Sequence, residues 1–333
     1  MMLRIVWNSN FREMSKSLFQ KLRKELDRHI IGHREVKTAL LLGILSREHI
    51  YIEGPPGTAK TMLSEIVAAS AQLKFFFYQL HRDTRLSELV GDMVISKEAN
   101  NEEEIIRQKI VKGGIQTAEI CLLDDISRAP GESLNVLLRI LNERKFFEDN
   151  LPLMTAIATS NPTADEYYNE PLDPANLDRF VLQIKSVGTS HMRDWKTAQQ
   201  IISLYSERDE KVEIPKMLDR KRLDKLHAQV KATPISKEIQ EGLGEFIRIL
   251  VEEFGLDETN SLISDRTFLV KALKIIRANA VLNGRKSCVM KDLEVLKYMT
   301  VFRIPPDVYE QLDAILERLM TKKKARKPSN PPT

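Results

Sequence analysis

The sequence predicts an α/β domain built on a five-stranded, largely parallel sheet, followed by a small all-helical domain. Three observations carry this reading. Short apolar runs alternate with amphipathic segments from residue 49 to residue 184, the rhythm of strands joined by crossover helices. After Ser186 the strand signals stop and only helical periodicity continues. Between the first apolar run and the next helix lies a glycine- and proline-rich turn ending in Lys60-Thr61.

Taken in order, residues 15–30 read as a helix, with Leu18, Leu22, Leu26 and Ile30 four apart on one face. Strands are predicted at 49–53, 75–80, 119–123, 153–159 and 180–184, with helices at 60–73, 84–90 and 131–144 between them. The last of these carries Leu134, Leu137, Leu138 and Leu141 at i, i+3, i+4, i+7 spacing. Residues 92–118 break the rhythm with an acidic run, Glu102-Glu103-Glu104, between apolar stretches, and with a Gly113-Gly114 turn. A β-hairpin or small insert fits that pattern better than a long bare loop. Past Ser186, helices are predicted at 194–207, 219–230, 236–254, 265–283 and 291–302, with Ser236 and Ser264 as N-caps and Gly255 and Gly284 as stops. The implied domains are a helical extension (1–28), the α/β domain (29–187), the helical domain (188–310), and a helix end with a basic tail (311–333).

The bulk numbers bound the alternatives. A chain of 333 residues, 42% hydrophobic, suits two domains with true cores. Its net charge of +4 owes much to Lys322, Lys323, Lys324, Arg326 and Lys327 in the tail, which reads as a solvated segment. Two cysteines, Cys121 and Cys288, make no disulfide framework, which points to a reducing compartment. The cytoplasm is expected, or an organelle stroma if a targeting segment is missing from this sequence. The six histidines show no metal-ligand spacing, and no apolar stretch approaches the ~18 residues of a membrane span.

The strongest local signal is Gly54-Pro55-Pro56-Gly57-Thr58-Ala59-Lys60-Thr61, which follows the apolar Ile50-Tyr51-Ile52 and opens a helix. In a phosphate-binding loop of this kind, backbone N–H groups and the positive end of the helix point at phosphate oxygens. Lys60 then neutralises the β- and γ-phosphates of ATP, and the Thr61 hydroxyl holds Mg²⁺. The consensus has glycine where this chain has Ala59, a substitution read as tolerated if residue 59 is already helical. Downstream, Ile120-Cys121-Leu122-Leu123-Asp124-Asp125 is an apolar strand ending in two carboxylates. Parallel sheets place ligands at the carboxyl ends of strands. Asp124 then reaches the Mg²⁺ water shell, and Asp125 orients or deprotonates an attacking water.

Asp124-Asp125-Ile126-Ser127-Arg128-Ala129-Pro130, with Leu137-Leu138 and Asn142-Glu143-Arg144, resembles the acid-strand region of MoxR-type AAA+ ATPases of the helix-2-insert clade. The resemblance covers roughly residues 29–303. It implies that Ile31 and Gly32 contact adenine, that Asn161 senses the γ-phosphate, and that Arg179 is an arginine finger supplied to a neighbouring subunit. It further implies that Arg266 is a lid sensor folding back onto the phosphates, and that the 92–118 insert lies near a central pore. Asn283-Gly284-Arg285 and Lys291-Asp292-Leu293 resemble the later lid helices. Arg128 is left open between a neighbouring subunit and solvent. The implied assembly is a hexameric ring with ATP and Mg²⁺ as cofactors and a chaperone-like role in remodelling or activating a client protein.

One departure bears on activity. The family usually carries glutamate at position 125, and aspartate sets the carboxylate about 1.5 Å further back. Two other readings therefore stay open: a nucleotide-gated binding module with little turnover, and a DNA-acting motor. Against the motor, no helix-turn-helix or zinc module is evident and the basic cluster is confined to the tail.

Overall fold

In a computed structural model of the chain, which describes residues 9–100, 103–162, 172–188, 194–206, 213–263 and 266–322, five parallel strands carry the architecture. They are β1 (Ile50–Glu53), β2 (Phe75–Gln79), β5 (Ile120–Asp124), β8 (Thr155–Ser160) and β9 (Leu182–Lys185). Their order is β2-β5-β8-β1-β9. Ile50 pairs with Ile157 on one side and Leu182 on the other, and Gln79 pairs with Asp124. The central strands are buried on both faces, which is why they read as continuous apolar runs.

Successive residues along a strand serve different cores. Tyr51, Cys121, Leu123, Ala156 and Ala158 face α4 (Leu86–Val90), α5 (Gly131–Glu143) and Phe180. Ile50, Ile52, Ile120, Leu122, Ile157 and Leu182 belong to a second, larger core. That core continues without a break through α1 (Ser9–His29), α2 (Arg34–Ser46) and α3 (Lys60–Ser70) into the C-terminal helices. These are α8 (Arg220–Ala232), α9 (Lys237–Glu252), α10 (Arg266–Leu282), α11 (Lys297–Thr300), α12 (Pro306–Tyr309) and α13 (Leu312–Lys322). The helical part thus shares one apolar core with a face of the sheet.

The interruption at 92–118 is a hairpin of β3 (Gly91–Asn100) and β4 (Glu103–Lys112), paired antiparallel from Gly91↔Lys112 to Asn100↔Glu103. A two-residue pair, β6 (Lys145–Phe146) and β7 (Asp149–Asn150), follows α5. The short α6 (Pro174–Leu177) precedes β9, and α7 (Trp195–Ser206) follows it. Gly255 and Gly284 adopt positive φ at the ends of α9 and α10, the geometry of a glycine stop. Ser236 occupies the N-cap of α9 without a side-chain cap bond. The cap expected at Ser264 and the tail from Lys323 onward lie outside the described residues. Among the described residues no helix is long and apolar enough to cross a membrane.

Polar contacts tie the helical part to the sheet. The buried Glu48 accepts from Lys271 at 2.8 Å and also from Lys274. Burial alone would raise the Glu48 carboxyl, yet the two ammonium groups outweigh it and hold it below its ordinary value. Two histidines are locked neutral nearby. His49 Nδ1 accepts the Ala156 amide at 2.9 Å, so Nε2 donates to the Leu141 carbonyl at 2.8 Å. His227 Nδ1 accepts from Arg47 Nε at 2.6 Å, and its Nε2 donates to the Ile44 carbonyl at 2.8 Å. Burial lowers both imidazoles to about 4, with Arg144 adding to the effect at His49 and Arg47 at His227.

A folded-state value below the unfolded one means that the unfolded chain takes up protons first. Stability from these two groups is complete above pH 6.5 and is lost as pH falls toward 4, at about 1.4 kcal/mol per pH unit for each histidine. Urea denaturation between pH 7 and pH 5 should therefore show a falling midpoint, and His227→Gln should flatten that slope. A midpoint independent of pH over this range would refute the locked, neutral state.

Candidate functional site

The loop after β1 has the geometry of an anion cradle. The Gly54 amide extends the β1–β8 ladder by donating to Ser160 O at 3.0 Å. A Cβ at Gly54 would lie 2.6 Å from the Ser186 carbonyl oxygen, so no larger residue fits between the ends of β1 and β9. Pro56 and Gly57 form the exposed tip. Gly57 sits at φ +78°, and a Cβ there would meet nothing within 4 Å, so glycine is needed for its backbone angle alone. Thr58 Oγ1 donates to Pro55 O at 2.9 Å. Ala59 corrects the reading from sequence. The helix begins at Lys60, and Ala59 precedes it in the left-handed region at φ 56°, ψ 23°. Alanine is therefore strained there, by roughly 1–2 kcal/mol, because its Cβ crowds the backbone at a left-handed φ.

Lys60 is buried at the mouth of this loop. Its ammonium donates to Gly54 O at 2.7 Å and Pro55 O at 3.0 Å. Burial lowers its pKa, opposed by the carboxylates of Asp124 and Asp125. Thr61, half-buried, lies in the first turn of α3.

The carboxylates stand two strands away. Asp124 accepts the Thr159 hydroxyl. Asp125 is left-handed at φ 54°, ψ 45°, a conformation uncommon outside glycine that aspartate tolerates through local hydrogen bonding. Its Oδ1 accepts from Asn161 Nδ2 at 3.1 Å. Its Oδ2 is 3.5 Å from Gln79 Nε2 and 3.6 Å from Arg128 Nε. Arg128, left open from sequence, therefore faces Asp125. Gln79 was not singled out from sequence. The available signal was a polar residue ending an aromatic strand, but its register beside Asp124 was not legible there.

The turn joining α1 to α2 closes the third side. His33 is left-handed at φ 50°, and its Nδ1 lies 3.3 Å from Ser186 Oγ. Ser186 in turn packs on Gly54. Burial lowers the His33 imidazole, with Lys37 and Lys60 adding to it. A Cβ on Gly32 would sit 3.5 Å from Thr197 Cγ2 of α7, and the Tyr205 hydroxyl of α7 donates to His29 O at 3.4 Å. The turn at Gly32 and His33, the phosphate loop, the end of β9 and α7 are thus linked by contacts.

Arg179 and Arg266 lie elsewhere. Arg179 comes just before β9, and parallel pairing sets the start of β9 beside the start of β1. It is therefore at the opposite end of the sheet from the phosphate loop. It lines a cavity of about 420 Å³ together with Glu48, Arg144, Thr267, Lys271 and Lys274. Its Nε is buried with no hydrogen-bond partner among the described residues. Arg266 opens α10, and the next residues, Thr267 and Phe268, line the same cavity. The resemblance implies an Arg266 that folds back onto the phosphates. Because α10 packs along α2 and is pinned to Glu48, its first turn points to the amino end of β1 instead.

The strand order β2-β5-β8-β1-β9, a glycine-rich loop after β1 and paired carboxylates after β5 define a P-loop ATPase of the AAA+ class. Residues 17–226 match the family model described as the MoxR domain of MoxR-vWA-beta-propeller ternary systems, and residues 239–301 match that of an AAA lid domain. The chain belongs to the MoxR family of AAA+ ATPases. It is 31% identical over 284 residues to uncharacterized protein MJ0079 of Methanocaldococcus jannaschii, covering 84% of this chain and 69% of that protein. Uncharacterized protein MJ0812 of the same organism is 30% identical over 286 residues, 85% of this chain and 71% of its own. Chaperone MoxR1 of Mycobacterium tuberculosis is 30% identical over 166 residues, 48% and 42% of the two chains. A crystal structure of a candidate ATPase from Cytophaga hutchinsonii superposes with a TM-score of 0.73 at 21% identity, covering 93% of this chain and 96% of that one. That likeness speaks to the fold alone.

The left-handed Ala59 makes a direct prediction. Ala59→Gly removes the strain but loosens the unfolded chain, so the protein should gain about 0.5–1 kcal/mol. Equilibrium denaturation without nucleotide measures this, and a loss of stability would contradict the φ assigned to Ala59.

Proposed function

We propose that this chain binds ATP with Mg²⁺ and hydrolyses it as one subunit of a hexameric ring that remodels or activates a client protein. The observation that carries the reading is the convergence of Lys60, Asp124, Asp125 and Asn161 at the carboxyl ends of adjacent strands, with Arg179 at the far end of the sheet. A triphosphate fits the loop. Its glycine tip is open, and the Lys60 ammonium rests on two carbonyl oxygens that phosphate oxygens can replace. Thr61 and Asp124 would hold Mg²⁺, which neutralises charge on the phosphates when bound. Ile31 and Gly32 would border the adenine.

Asp125 orients and deprotonates the attacking water, and Asn161 fixes that carboxylate from the neighbouring strand. Arg179, too far from its own loop, serves the nucleotide of the next subunit, and Arg266 faces the same way. The family description pairs such MoxR domains with von Willebrand A and β-propeller proteins, so a client bearing a von Willebrand A domain is the first to test. Two buried free thiols, Cys121 and Cys288, suit a reducing compartment such as the cytoplasm.

A second reading, the nucleotide-gated binding module with little turnover, draws on Asp125. Its carboxylate is short and already engaged by Asn161, with Gln79 and Arg128 near.

Calorimetry should find ATP binding abolished or greatly weakened in Lys60→Ala with the fold intact, and normal affinity in that variant would remove the phosphate-loop assignment. Arg179→Ala should still bind ATP yet lose at least ~10²-fold in turnover, since arginine fingers contribute about 10³–10⁵. Native activity per subunit should also rise with protein concentration. Activity independent of concentration and indifferent to Arg179 would exclude the trans role.

Position 125 decides between the two readings. ADP production at saturating ATP should be near zero in Asp125→Asn and should match or exceed the native rate in Asp125→Glu. A silent native chain that gains activity with glutamate favours the binding module. Equal turnover by the native chain and Asp125→Asn shows that another group activates the water.

A further inference from the structure

The loop that carries Arg179 is held by an arginine from the helical part. Arg303, just past α11, is only 4% exposed. Its Nε donates to Asp178 Oδ1 at 2.8 Å. Its Nη2 donates to Asp178 O at 3.0 Å and Phe180 O at 3.1 Å. Its Nη1 donates to Val181 O at 3.2 Å and to Met299 O, in its own segment, at 2.5 Å. Four of these five contacts fall on residues 178, 180 and 181, which bracket Arg179 on both sides.

The clamp is itself anchored. The Arg303 carbonyl accepts the Leu262 amide at 3.0 Å. The Phe302 amide donates to Gln183 Oε1 of β9 at 3.2 Å, and the Phe302 ring packs edge-on to Tyr51 of β1, with centroids 5.5 Å apart. A planar guanidinium can reach carbonyls on two sides of a loop at once, whereas a lysine ammonium is a single point of charge. Arg179 itself has a buried Nε with no hydrogen-bond partner among the described residues. Local bonds from the Asp178, Arg179 and Phe180 amides close the turn, and the carbonyls on either side of Arg179 are held from a segment more than a hundred residues downstream.

We propose that Arg303 is a positioning residue for hydrolysis in the neighbouring subunit, holding the 178–181 loop so that Arg179 meets the nucleotide across the interface. The proposal rests on the reading of Arg179 as acting in trans. Arg303 touches neither nucleotide nor water. Its loss should lower the rate at the adjacent site and leave its own subunit's ATP affinity unchanged.

Subunit mixing separates this role from a structural one. Arg303→Lys alone should keep KM for ATP within about three-fold while kcat falls about 10- to 100-fold, the scale of an ångström-sized misplacement. Lys60→Ala subunits have a dead loop and an intact Arg179 clamp. Mixed with Arg303→Lys subunits, they should restore turnover, because each intact loop can then face an intact finger. The control is Arg179→Ala mixed with Lys60→Ala. If that control fails to recover, the trans reading itself is wrong. If the control recovers while Arg303→Lys either keeps native kcat alone or fails to recover on mixing, Arg303 does not position the finger and the proposal falls.

Two further measurements keep the test open to either outcome. Asp178→Asn removes the charge partner but leaves the backbone carbonyls, so it should fold and lose activity in the same direction, less severely. In an Asp125→Asn background, where hydrolysis is not the readout, Arg303→Lys should speed release of ATP but not ADP, as Arg179→Ala should, by no more than the ~3-fold allowed to KM. Unchanged ATP release from Arg303→Lys, alongside faster release from Arg179→Ala, overturns the proposal.

Discussion

The insertion of β8 between β1 and β5 is the constraint on which the site depends. Neighbouring parallel strands lie about 4.8 Å apart, so the loop after β1 and the carboxylates after β5 are held about two strand spacings apart. Across that gap Lys60 feels the charge of Asp124, but the described residues include no direct ion pair between them. Lys60 instead rests on the loop's own carbonyls, and Asp124 on the Thr159 hydroxyl of the intervening strand. Asn161, at the end of that strand, is thereby within reach of Asp125. The parallel ladder also sets Arg179 at the other end of the sheet from the loop after β1.

Much of this was legible in the sequence because buried parallel strands are written as short apolar runs and the loop has a fixed grammar of glycine, lysine and threonine. What escaped did so for identifiable reasons. α2 carries a nearly unbroken apolar stretch, Ala39–Leu45, buried on almost all sides, and a helix without a polar face has no 3.6-residue signature. The backbone of Ala59 and Asp125 was invisible because residue type alone does not report a left-handed φ outside glycine. At Ala59 the consensus glycine was the clue, and the mistake was to extend the helix one residue too far. The place of Arg266 depended on how α10 docks, which is set by Lys271 and Lys274 reaching Glu48, a contact 223 residues distant for one pair. Gln79 needed the β2–β5 register.

Electrostatics divides the molecule into two ends. At the carboxyl end, one ammonium faces two carboxylates across the loop. At the amino end, Arg144, Arg179, Lys271, Lys274 and Arg303 gather around Glu48 and Asp178. Glu48 remains ionised despite burial because two lysines converge on it. The same carboxylate offsets the nearby Arg144, whose own pKa burial lowers. The excess of cations at this end suits an anion, and the excess of acceptors at the other suits a cation.

The shared core has a further consequence, for how such a chain can be divided. Leu40, Leu41, Leu42 and Leu45 of α2 are almost wholly enclosed, and α2 packs on α3, α8, α10 and the sheet together. Severing the chain between β9 and α7 would strip α8 and α10 from that helix and leave its leucines facing water. Neither piece would be a self-sufficient folding unit. Recombination or protein engineering that swaps the helical part between relatives must therefore carry a matched α2 with it, even though α2 belongs, by position in the chain, to the other half.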